Sequence, residues 1–172
     1  YKLTNVVVDP VMIAKGGRTL MTNKARTALV NELLPLALVV TPNIPEAEIL
    51  SKMKIERLED MKEAAVKIHG LGVKNVLIKG GHLPGKHRNP VTDVLYDGRH
   101  HEFSSSWINT KDTHGTGCTY ASVLASAIAQ GKNMIDAAQQ AKMMVTTAIE
   151  NALILGKGYG SVNVYGKNYV KE

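Results

Sequence analysis

Three short valine-rich runs constrain the fold of this chain more than any other feature. They are VVVDPVM at residues 6–12, VVTPNIPEAE at 39–48 and VLIKGGH at 76–82. A run of this type is the mark of a parallel strand lying inside a sheet with both faces covered. Strands are therefore expected at residues 6–9, 38–41 and 76–79, with helical signals between them. Thr22 can cap a helix running to about Leu34, where Pro35 stops it. Pro45, with Glu46 in the first turn, opens a short helix to about Lys52. Met61, Ala64, Ala65 and Ile68 form the stripe of a helix over 60–69, ended by Gly70 and Gly72. Residues 91–96 and 100–105 flank Asp97 and Gly98, a hairpin signal. Residues 117–130 read as helical with Gly131 as the C-terminal cap. The last long helix is expected from Asp136 to about Leu153, with a glycine-rich tail after it. Strands alternating with helices predict a three-layer α/β/α sandwich with a mainly parallel sheet, one domain over residues 1–172.

In open α/β sheets, ligands bind beyond the carboxyl ends of the strands. Here those ends carry Asp9, then Thr41 to Glu46, then Lys79 to His82. A fourth polar signature, DTHGTGCTY at residues 112–120, runs directly into an alanine-rich helix. Glycines on either side of Thr116 let a turn approach a ligand and aim several N–H groups at one point. The positive end of the following helix adds to this, so the turn suits an anion. Cys118 is the only cysteine, and a thiol at a helix start is favoured as the reactive thiolate. A lone cysteine elsewhere packs as a small hydrophobe; the neighbouring anion turn favours chemistry for this one. Carboxylates for Mg²⁺, a lysine for phosphate charge and an N–H turn make up the parts of phosphoryl transfer. Singly, each is weak, since a strand-ending aspartate is often only a turn cap.

Other classes fit poorly. No G-x-x-x-x-G-K-[ST] is present, and no G-x-G-x-x-G joins an early strand to a helix. The 21 Lys and Arg against 15 Asp and Glu give a net charge of +6, which suits an anionic substrate. These basic residues are scattered and have few aromatic neighbours, so nucleic acid is not expected as a partner. The longest apolar run, residues 33–40, contains Pro35 and is too short to span a bilayer. No signal-peptide pattern is visible, and a lone cysteine fits a reducing compartment, so the chain reads as cytoplasmic. His100 and His101 are adjacent on a strand and point to opposite faces, which argues against a histidine metal site. Residues 156–160 read either as a nucleotide contact or as an exit loop.

Taken together, the runs at 6–12, 39–48 and 76–82, with DVLYDG at 93–98, DTHGTGCT at 112–119 and LGKGYG at 155–160, resemble the ribokinase superfamily. They are most similar to its hydroxymethylpyrimidine/phosphomethylpyrimidine kinase branch, in the same order and over essentially the whole chain. The cysteine form of the G-T-G turn is shared with some pyridoxal kinases. The chain departs from this branch at residues 159–164, where YGSVNV replaces the usual HGPVNH.

The resemblance implies an ATP-dependent kinase of the thiamin pathway that phosphorylates 4-amino-5-hydroxymethyl-2-methylpyrimidine and then its monophosphate. Cys118 would be the general base, and Gly115, Thr116 and Gly117 would hold the transferred phosphoryl. Lys79 would meet the nucleotide phosphates, with Thr41 and Asn43 beside it. Asn43 and Glu46, assisted by Asp9, would hold Mg²⁺ through water. Val11 would line the pyrimidine pocket, and Thr113, Val145 and Ala148 would border the adenosine; for Val11 and Val145 the competing reading is core packing. A homodimer is implied. The absence of an initiator Met, with a strand within a few residues of Tyr1, reads as a chain cut through a fold, so an N-terminal part is expected to be missing. These 172 residues alone are then expected to be poorly soluble and inactive toward pyrimidine. Pyridoxal kinase is the alternative activity, and a nucleotide-binding remnant without catalysis is the alternative class.

Overall fold

Valine and isoleucine, stiff at χ1, favour extended backbone, and the structure places them there. The computed structural model describes residues 3–14, 17–84, 90–153 and 157–166. Strands β1 (Val7–Val8), β2 (Val39–Val40) and β3 (Val76–Ile78) are short, and the hairpin strands β4 (Val91–Tyr96) and β5 (His100–Ser105) are longer. They form one sheet in the order β1-β2-β3-β4-β5. Val7 and Val8 lie beside Val39 and Val40 in parallel, and Val40 lies beside Val76 in parallel. β4 runs antiparallel to both β3 and β5, so four strands point one way and β4 alone is reversed. Gly98, at φ 107°, supplies the left-handed position in the β4–β5 turn.

Successive side chains on each strand enter opposite layers. Val8, Val40, Val76, Ile78 and Val94 pack with Ile44, Ala47 and Leu50 of α2 (Ile44–Ser51) and with Met61, Ala64, Ala65 and Ile68 of α3 (Leu58–His69). Val39, Leu77, Leu95 and Phe103 enter the other layer. There they meet Tyr120, Leu124 and Ala127 of α4 (Thr116–Ala129) and Ala138, Ala141 and Val145 of α5 (Met134–Glu150). Helices thus cover both faces, the three-layer architecture expected from the alternation.

Several boundaries differ from expectation, among them the start of α3 at Leu58 rather than residue 60. Thr22 does cap α1 (Asn23–Ala28), accepting from the Ala25 N–H, but the α-helix does not continue to Leu34. It widens into a π turn over Leu29–Leu33, closed by the Leu34 N–H to Leu29 O, and tightens into a 3₁₀ turn over Leu34–Leu36. Pro35 has no N–H to give and its ring opposes the preceding turn, so the ladder re-forms around it. α5 starts at Met134 rather than Asp136 because Asn133 is the cap, its side chain accepting from the Asp136 N–H. It ends at Glu150, short of Leu153, where Asn151 turns back and donates to Thr147 O. Gly131, at φ 86°, follows α4 as expected.

Candidate active site

The carboxyl ends of β1, β2 and β3 bring Asp9, Thr41 and Lys79 together. Lys79 Nζ donates to Asp9 Oδ1 at 2.9 Å, and the Thr41 hydroxyl donates to the same oxygen at 3.1 Å. The two charged side chains are only 13% and 17% exposed, so their attraction is screened far less than that of a surface pair. The Lys79 N–H also donates to Pro42 O at 2.9 Å, which fixes the lysine backbone beside the β2 loop.

α4 closes the site from the other side. Gly115 is its N-cap at φ 85°, a conformation that glycine reaches without strain. No side chain caps this helix, whereas Thr22, Asn43 and Asn133 cap α1, α2 and α5. The Thr116 N–H already donates to Thr113 O at 3.4 Å, and the rest of this turn has no side-chain cap and suits a ligand. A Cβ on Gly117 would stand 3.6 Å from both Asp9 Oδ2 and Lys79 Nζ, so the first turn of α4 lies directly against the ion pair. Cys118 follows in that turn and is exposed.

Asn43 and Glu46, expected to hold Mg²⁺ through water, are hydrogen-bonded to each other at the start of α2. They form a capping box: Asn43 Oδ1 accepts from the Glu46 N–H at 3.0 Å, and Glu46 Oε2 accepts from the Asn43 N–H at 2.9 Å. Glu46 Oε1 accepts in addition from the Met12 N–H at 3.3 Å, tying the β1 loop to α2. Burial raises the Glu46 pKa above its ordinary value, opposed by the Asn43 N–H and the nearby Lys79 charge. Among the described residues, no cluster of three or more His, Cys, Asp or Glu is placed to chelate a metal.

A family model for phosphomethylpyrimidine kinase matches residues 1–163. The chain belongs to the phosphomethylpyrimidine kinase family. It is 43% identical over 164 residues to the hydroxymethylpyrimidine/phosphomethylpyrimidine kinase of Bacillus subtilis, covering 95% of this chain and 60% of that one. A bifunctional thiamine biosynthesis protein of Geobacter sulfurreducens is 49% identical over 164 residues, 95% of this chain and 33% of its own length. The ADP complex of Bacillus subtilis pyridoxal kinase superposes with a TM-score of 0.85 at 37% identity, covering 97% of this chain and 61% of the other. The chain therefore spans no more than about three-fifths of the relatives named here.

In this member of the phosphomethylpyrimidine kinase family, the other expected site residues differ in exposure, and the Val11 N–H donates to Asp9 O at 2.9 Å. Val11 is 43% exposed, which excludes core packing for it; its neighbour Met12 is the buried one. Val145 packs in the α4–α5 layer and Ala148 is 1% exposed. Thr113 precedes the cradle, its carbonyl accepting from the Thr116 hydroxyl at 2.8 Å. Residues 155–156 of the glycine-rich motif lie outside the described residues, but Gly160 docks: its N–H donates to Asp112 Oδ1 at 2.7 Å, and Ser161 bridges to His114. No helix among the described residues is long and apolar enough to cross a membrane. The sequence reading missed Asp112, Asp93 and Lys142, all three buried. Asp93 could have been found, since it falls at an inward position of β4 in step with Leu95.

Proposed function

We propose that the protein transfers the γ-phosphate of ATP to the hydroxymethyl group of 4-amino-5-hydroxymethyl-2-methylpyrimidine, and then to the phosphate of the product. The observation that carries this reading is the contact of the Asp9–Lys79 pair with the uncapped first turn of α4 at Gly117. Lys79 meets the nucleotide phosphates as they enter, drawn from Asp9 by their larger charge. The N–H groups of Gly115, Thr116 and Gly117 take the three equatorial oxygens of the moving phosphoryl group. The substrate hydroxyl oxygen attacks phosphorus, its proton passes to Cys118 Sγ, and ADP leaves with the bridging electron pair. The exposed thiol in the first helical turn is open to substrate.

Mg²⁺ fits these residues only with most of its water shell retained, as that ion prefers. Asn43 and Glu46 would hold it through water, assisted by Asp9, whose Oδ2 lies beside Gly117. When bound, the ion supplies neutralisation of the nucleotide phosphates. Thr113, Val145 and Ala148 border the adenosine in this reading, Val11 faces the pyrimidine, and the protein is a homodimer.

The pyridoxal kinase likeness at a TM-score of 0.85 favours one second reading, phosphorylation of the hydroxymethyl group of a B6 aldehyde. Coupled ADP-release assays with the hydroxymethylpyrimidine, its monophosphate and pyridoxal separate the two. Turnover with both pyrimidines exceeding that with pyridoxal is expected. ADP release that no pyrimidine accelerates would overturn the proposal.

A further inference from the structure

Two charges lie deeper in the fold than the Asp9–Lys79 pair. Asp93 on β4 and Lys142 on α5 are 4% and 7% exposed in their side chains, with Lys142 Nζ 3.1 Å from Asp93 Oδ2. Asp93 shares the face of β4 that Leu95 presents to α4 and α5, so its carboxylate enters an otherwise apolar layer. Its second oxygen, Oδ1, accepts the Gly80 N–H at 2.8 Å. The Tyr120 hydroxyl of α4 approaches the same carboxylate without a well-formed hydrogen bond. Burial, reinforced by the Asp93 charge, drives the Tyr120 pKa well above its ordinary value, so the phenol stays neutral.

Stability alone does not account for these charges. Replacing a buried ion pair by apolar side chains of similar size is commonly neutral or stabilising. Position accounts for them better. The last β3–β4 pair is Ile78 with Val94, and beyond it the Asp93 side chain takes over from the backbone as partner of β3. At that corner a Cβ on Gly80 would collide with the Thr92 carbonyl oxygen, so the two segments touch backbone to backbone. Gly80 directly follows Lys79, Tyr120 lies two residues after Cys118, and Lys142 lies in α5 three residues before Val145.

We propose that Asp93, balanced by Lys142, is a positioning residue for phosphoryl transfer: it fixes the Lys79–Gly80 corner so that Lys79 Nζ is held at Asp9 and Gly117. The inference rests on the kinase reading above and acts through Lys79, not through contact with substrate.

The test compares Asp93→Leu/Lys142→Met with Asp93→Asn/Lys142→Met; only the second keeps an acceptor for the Gly80 N–H, and neither leaves an unpaired charge. Both are expected to fold, the Leu/Met variant melting a few degrees lower because its Gly80 N–H has lost its acceptor. In the Leu/Met variant kcat/KM for ATP is expected to fall by about 10²-fold, the scale of an ångström-sized misplacement, with KM for the pyrimidine unchanged. The Asn/Met variant recovers most of that loss. In a Lys79→Ala background the Leu/Met change adds nothing further, because the two act through one group. Wild-type kinetics in a folded Leu/Met variant, failure of the Asn/Met rescue, or effects that simply add to Lys79→Ala would each overturn the proposal. So would a Leu/Met protein that does not fold, since the pair would then be structural. Calorimetric ADP affinity of the same variants reads the clasp independently of turnover. If the wild type phosphorylates no pyrimidine, the kinase reading falls, while weaker ADP binding in Leu/Met restored in Asn/Met still supports the positioning role. Equal ADP affinity in all three proteins overturns it.

Discussion

Cys118 is exposed in the first turn of α4, and removing its sulfur isolates the role of a base from that of a phosphate holder. Cys118→Ala is expected to lower kcat by about 10²–10⁴, the usual loss for a general base, with calorimetric ADP affinity unchanged. A variant that keeps most of its turnover removes Cys118 from the base role. Glu46 makes a different kind of prediction. Its two oxygens each accept a backbone N–H, from Asn43 and Met12, and glutamine has one acceptor oxygen for the two donors. Glu46→Gln should therefore lower unfolding free energy by about 1–3 kcal/mol, the penalty for an orphaned buried donor. Because burial raises the folded-state pKa of Glu46, the folded protein binds its proton more tightly than the unfolded chain. Its contribution is full below the ordinary value of 4.5 and is lost as pH climbs through the raised folded value. Denaturation across that window should show the gap between wild type and variant narrowing as pH rises; a widening gap would show that the ionised form is favoured. The residue types Asp9, Lys79 and Cys118 were legible in the sequence because strand ends and a glycine turn announce them. The Glu46 contact with Met12 was not, because a bond across 34 residues has no local signature.

At the scale of elements, the tail over residues 157–166 docks on the segment leading into α4. Gly160 is the point of closest approach, where a Cβ would press into the Asp112 carboxylate and the N–H donates to it at 2.7 Å. Gly160→Ala should displace the tail and lower unfolding free energy by about 1–3 kcal/mol, since the buried Asp112 oxygen loses its donor. Chemical denaturation measures this, and a change near zero would mean that the tail adapts without strain. Valine runs made β1, β2 and β3 readable, and the alternation with helical stripes made the layers readable. The π turn over Leu29–Leu33 was not, because it arises from Pro35 breaking the ladder while Leu29 and Leu34 must still reach the core. The start of α5 was misjudged for a simpler reason: Asn133 and Asp136 form a cap signal that the apolar pattern overshadows.

For the whole molecule, four separated segments meet at one site, so a ligand there ties the sheet to α4. ADP at a hundred times its Kd should raise unfolding free energy by about 2.7 kcal/mol, read by denaturation with and without nucleotide. Amide exchange at Asp9, Thr41, Lys79 and Gly117 should slow together; slowing confined to α5 and the tail would put the nucleotide elsewhere. The strand order has a further consequence. Because β1 to β5 stand side by side in the order of synthesis, none of these five described strands must be threaded between two of the others that have already paired. Each new strand docks on its predecessor, and assembly can follow the chain as it leaves the ribosome. Asp9 and Lys79 are then in place while Gly115 to Cys118 are still being made. A nascent chain that has passed Lys79 but not reached Cys118 carries the charge pair without the thiol, so competence for phosphate chemistry waits for the cradle.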